Sequence, residues 1–153
     1  MLTTNPFAQL NAGSPEIFTP GLMQGYVILM VLLVIGGTLY DVWHKKSAKY
    51  FFENAEDAKK KASRQLESGE KTSLLVKTIT NEVLTSSEFE NTKRRLSHLM
   101  SMYGFILFVV ATAVMIFAYP TAANDTPAIW PILWHLGALS LAVGGYWFWF
   151  AIR

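Results

Sequence analysis

Three histidines, His44, His98 and His135, and two arginines, Arg94 and Arg95, are the residues whose types and spacing could support chemistry in this chain. Each histidine adjoins or lies within a long apolar run, where an imidazole is costly and therefore a functional candidate. Arg94 and His98 stand at i and i+4, and Arg95 and His98 at i and i+3, so on a helix all three share one face. Such a cluster can pair with haem propionates or hold a quinone head group; its ordinary role is to anchor a helix end at a membrane surface. The histidines have ordinary readings too. His44, in Trp43-His44-Lys45-Lys46, is an interfacial flank; His98, after Lys93-Arg94-Arg95, is a headgroup residue; His135, before Leu136-Gly137, hydrogen-bonds a neighbouring helix. Among chemical roles, a proton relay lacks its usual carboxylate deep in a run, and a non-haem metal site needs three or four ligands. Haem needs one or two imidazoles and is the cofactor these residues most easily support.

The elements that must position these residues follow from hydropathy. Of the 153 residues 52% are hydrophobic and 16% charged, against roughly a quarter charged in an average soluble domain. With no cysteine, a disulfide framework, a thiolate zinc site, a Cys-ligated iron–sulfur cluster and a covalent c-type haem are all excluded. Residues 1–40 carry one charged group, Glu16, and residues 99–152 one, Asp125. Three apolar runs result: Gly21 to Trp43, Leu99 to Tyr119 and Ile129 to Ile152. About 20 helical residues cross a hydrocarbon core, and in lipid only a helix satisfies the backbone of an isolated run. The first run lacks the basic flank and small-residue cleavage site of a secretory signal.

The expected fold is all-α: an integral membrane protein of three transmembrane helices with an amphipathic helical cytoplasmic loop. Its parts are an external tail (1–20), helices over 21–43, 98–119 and 129–152, a cytoplasmic loop (44–97) and an external loop (120–128). Twelve of the 13 Lys and Arg lie between His44 and His98, which puts that loop and the C-terminus inside and the N-terminus outside. Aromatic residues mark the boundaries, Tyr40, Trp43, Trp147 and Trp149 inside and Tyr119, Trp130 and Trp134 outside. Within the loop, Lys45 to Leu66 extends the first helix or lies on the inner surface, and Gly69 breaks it. Leu75, Ile79, Val83 and Leu84 then form an amphipathic stripe, resting on headgroups, a partner or the chain itself. The acidic residues mixed into the loop argue against nucleic acid as a partner. Gly36-Gly37, Gly137 and Gly144-Gly145 predict close helix contact or, secondarily, space for a flat cofactor. Depth separates the imidazoles: His98 and His135 differ by roughly 20 Å of helical rise and cannot share a haem. His98 and His44 lie at the same face and can be the two ligands of one haem iron.

The stretch from Lys93 to Phe105, a basic residue, a histidine three or four positions on and then Tyr103-Gly104-Phe105, resembles a cytochrome b-type membrane family. That family includes the gamma subunit of respiratory nitrate reductase and membrane subunits of heterodisulfide-reductase-like complexes. Tyr119-Pro120, Trp130-Pro131, His135-Leu136-Gly137-Ala138, Gly144-Gly145 and Arg153 resemble the membrane subunit of a quinone-interacting oxidoreductase. With Tyr40 to Asn54, the chain is most similar in character to membrane anchor subunits of adenylylsulfate reductase in sulfur-oxidising bacteria. The resemblance implies a subunit of the bacterial inner membrane. It would hold the soluble flavin and iron–sulfur enzyme at the cytoplasmic face and link its electrons to the quinone pool. His98 maps onto the basic–His segment, His135 onto the second match, and His44 onto nothing in the family. Haem b and quinone are the implied cofactors. With three spans, a haem at His98 draws its second imidazole from His44, a second copy of the chain or another subunit. A haem-free anchor, or an accessory subunit of another respiratory complex, is the alternative.

Overall fold

The computed structural model describes residues 2–15, 17–62, 67–87, 89 and 91–152. Every regular element among them is helical. They form two units, Met1–Gly25 with Thr78–Arg153, and Tyr26–Lys77. Three helices are long and apolar enough to cross a membrane: α2 (Pro20–His44), α5 (Thr92–Phe117) and α6 (Ile129–Trp147), which continues as a π-helical turn over Phe148–Ile152. The expected all-α fold with three such helices is therefore present.

α5 and α6 are an antiparallel pair joined through missing side chains. A Cβ on Gly104 would stand 2.6 Å from the Leu141 amide nitrogen, and one on Gly137 would stand 2.7 Å from that of Phe108. One on Gly144 would stand 2.6 Å from Ser101 Oγ and 2.8 Å from the Ser97 carbonyl oxygen. Ser97, Gly104 and Ala111 recur every seven residues on α5, as Gly137 and Gly144 do on α6; this is the repeat of a shallow left-handed crossing. Lipid offers apolar side chains no reason to associate, so packing and hydrogen bonds at close approach hold such a pair. Ser97 Oγ donates to the Gly144 carbonyl at 2.7 Å, Ser140 Oγ to that of Met100 at 2.9 Å, and Trp134 Nε1 to Thr112 Oγ1 at 3.1 Å.

α5 begins six residues before its expected start at 98. Asn91 caps it, its Oδ1 accepting from the amides of Lys93 and Arg94, so the basic triplet Lys93-Arg94-Arg95 is a polar first turn on an apolar rod. The N-terminal stretch, expected as a plain tail, contains α1 (Pro6–Gly13). Asn5 seats it. Its Oδ1 caps α1, and its Nδ2 donates to the Tyr119 carbonyl at 2.9 Å, Thr126 Oγ1 at 3.2 Å and the Met115 carbonyl at 3.4 Å. Gln24 Nε2 donates to the Ile116 carbonyl at 3.1 Å, which ties the start of α2 to the same end of α5.

In the second unit, α2 stops at His44 and α3 (Ser47–Lys61) starts afresh. Lys46 lies in the left-handed region at φ 53°, so the first helix does not run on continuously through the lysines. The expected break at Gly69 also moves. α3 ends in extended backbone at Ala62, and Gly69 sits in the first turn of α4 (Ser68–Thr78), where the Glu70 carboxylate accepts from the Glu67 amide as in a capping box. Residues 63–66 and Arg153 lie outside the described residues.

Candidate functional site

Arg94 and His98 leave the first turns of α5 one helical turn apart, and both line a half-open groove of about 640 Å³. Ser97 and Ser101 continue that face, so a stripe at 94, 97, 98 and 101 forms the polar side. Phe148, Ile152 and Gly145 of α6 and its π-helical turn form the apolar side, and Phe89 closes the rim. The Phe89 ring lies 5.3 Å from the His98 ring at a tilt of 48°. The groove thus meets an exposed guanidinium and imidazole at one end of a helix pair with aromatic rings on two sides. Its size is that of a small-molecule site, generally 300–1,000 Å³.

Phe89 is held by a strap that follows a second π-helical turn, Ile79–Leu84. Tyr103 OH donates to the Leu84 carbonyl and Arg95 Nε to the Thr85 carbonyl, each at 2.7 Å. The Phe89 amide then donates to the Ser86 carbonyl at 3.3 Å. Ser86 sits at φ 49° and is 1% exposed, and its Oγ has no hydrogen-bond partner among the described residues. A buried hydroxyl in a left-handed conformation is a local cost that the Tyr103 and Arg95 ties offset. Arg95, grouped with Arg94 by helical spacing, therefore works away from the groove as a tie.

His135 stands elsewhere. The contacts of Gly137 with Phe108 and of Gly144 with Ser97 and Ser101 set the register, and put His135 level with about residue 110. That is roughly 18 Å of helical rise from His98, so the two cannot ligate one iron. His135 Nδ1 lies 2.7 Å from the Pro131 carbonyl, which accepts and so fixes the Nδ1–H tautomer with Nε2 as the bare nitrogen. Its ring meets Trp134 edge-on at 4.9 Å, and Trp134 also packs on Phe108 and Phe7. His44 stacks on Tyr40 at 5.5 Å in the other unit, and nothing in either unit's geometry bears on an iron shared with His98.

A haem tested against this arrangement finds one imidazole at the groove. Among the described residues of the same unit no second histidine reaches it, so a bis-imidazole haem there would take its other ligand from outside this unit. Among the described residues no three His, Cys, Asp or Glu side chains gather where they could hold a metal ion. What the groove can do is donate hydrogen bonds from Arg94 and His98 to oxygens on a flat or anionic group lying between aromatic rings. Ser101 was legible in principle from its position one turn beyond His98. Phe89 and Tyr103 were not, because a loop and its ties carry no periodic signal. The amphipathic stripe of Leu75, Ile79, Val83 and Leu84 stays exposed and runs into the widened turn, which shifts its spacing. Comparison with known protein families, with characterised proteins and with solved structures finds no match.

Proposed function

We propose that this chain is a haem-free membrane subunit of a redox complex. It receives a quinone head group at Arg94 and His98 and docks a soluble enzyme through residues 44–97, with adenylylsulfate reductase as the partner class. The observation that carries the reading is the groove itself: a guanidinium and an imidazole set between Phe89 and Phe148 at one end of an apolar helix pair. Quinone carbonyl oxygens accept hydrogen bonds from both groups, and the flat ring suits the aromatic walls. The helix pair lies in a bacterial inner membrane, with the lysine-rich segment on the cytoplasmic side by the positive-inside rule. The chain's own residues bind and orient the head group; the quinone supplies the redox chemistry.

Affinity purification of the full chain from solubilised membranes tests the docking half. Flavin and iron–sulfur subunits should co-purify, and should be lost when Lys59, Lys60 and Lys61 are all changed to Glu. Recovery of a different soluble enzyme would sink the adenylylsulfate reductase assignment. For the groove half, Arg94→Gln should weaken binding of a soluble benzoquinone about tenfold, the loss of one charged hydrogen-bond donor. Unchanged binding would overturn it. A b-type Soret band that His98→Ala weakens would overturn the haem-free reading.

A further inference from the structure

Gly144 and Gly145 are adjacent, and only one of them is accounted for by helix packing. A Cβ on Gly144 would strike α5, whereas a Cβ on Gly145 would meet nothing within 4 Å. Without a side chain, Gly145 leaves that flank of α6 low. Two concave surfaces share Gly145. One is the Arg94–His98 groove; the other is an apolar groove of about 630 Å³ lined by Phe108, Ala138, Leu141, Ala142, Tyr146 and Trp149, among others. The second groove follows α6 from Trp149, level with the polar groove, down to Ala138 and Phe108 about three turns into the apolar span.

We infer that the two grooves are one site for a head-plus-tail ligand, with Gly145 as the saddle between them. The oxygen-bearing head lies at Arg94 and His98, and the alkyl or prenyl chain crosses Gly145 and descends along Leu141, Ala142 and Tyr146. This inference rests on the quinone reading of the polar groove and adds that the ligand is a tailed quinone rather than a soluble one. The shared chemistry, a hydrogen-bond-accepting head on an apolar chain, also belongs to an anionic phospholipid, and the test separates the two.

The experiment uses the full chain in nanodiscs of zwitterionic lipid. Two probes are titrated, a tailless methoxylated benzoquinone and the same ring with a decyl chain, each followed by quenching of tryptophan fluorescence. Ala142→Phe fills the apolar groove at a residue that does not line the polar one. It should weaken the decyl compound at least about tenfold and leave the tailless ring unchanged, while Arg94→Gln should weaken both. If Ala142→Phe leaves the decyl compound unaffected, or weakens both probes equally, the tail path is wrong and the head site stands. If Arg94→Gln and His98→Gln leave both probes unaffected, the head site itself falls. Added phosphatidylglycerol should not displace the decyl compound; displacement that Arg94→Gln abolishes would assign the site to lipid instead.

Discussion

α2 and the α5–α6 pair are each long and apolar enough to cross a membrane, but they carry their small residues differently. α5 buries Ser97, Gly104, Ala111, Met115 and Ile116, and α6 buries Pro131, Gly137 and Gly144. The difference lies in where small residues fall. Gly104, Gly137 and Gly144 recur in register on two facing helices and let backbones touch, whereas Gly36 and Gly37 sit side by side and point in different directions around the helix. Apolarity says that a helix can enter a membrane; the seven-residue spacing of small residues on α5 and α6 lets that pair close up there.

The largest effect should come from putting a side chain where the pair has none. Gly104→Val places its Cβ against the Leu141 backbone. It should cost about 3 kcal/mol in detergent-denaturation experiments followed by circular dichroism. Leu139→Ala, at an exposed position of α6, should change the same transition by less than about 0.5 kcal/mol. Equal losses would mean that the glycine contacts do not hold the pair. Asn5→Ala comes next. It removes one cap and leaves three acceptors at the end of α5 without their donor, for about 2 kcal/mol by the same measurement. Tyr103→Phe removes the hydroxyl that holds the strap at Leu84. It should weaken the tailless benzoquinone about fivefold, the worth of one ordinary hydrogen bond, with insertion unchanged. In a Phe89→Ala background the same change should do nothing more, since Tyr103 acts through Phe89. Smallest is Ser97→Ala, which loses the bond to the Gly144 carbonyl for about 0.6 kcal/mol. Thr38→Ala in α2, whose hydroxyl bonds only its own helix at Val34, should show no loss.

The three long helices were legible because length and hydropathy suffice to define a membrane-crossing rod. The separation of His98 from His135 was legible too, since helical rise alone sets it. The helix starts at 92 and the expected span at 98 because hydropathy marks where lipid ends, whereas the helix begins where Asn91 caps it. The break at Gly69 was misplaced for the converse reason: a glycine in a first turn is cheap when Glu70 caps the amide before it. Helical spacing grouped Arg95 with Arg94 beside His98, but the two are adjacent, about 100° apart around the helix, and turn different ways. One guanidinium reached the groove and the other the Thr85 carbonyl. The strap and the seat of α1 on Asn5 join residues far apart in the chain, and no local pattern announces such contacts.

That seat has a consequence for how the molecule is made. Asn5 meets acceptors at Met115, Tyr119 and Thr126, each more than a hundred residues further along the chain. Closure over so long a loop is slow. α1 therefore reaches its seat only after the α5–α6 connection has been made, and an engaged Asn5 reports that this connection is in place.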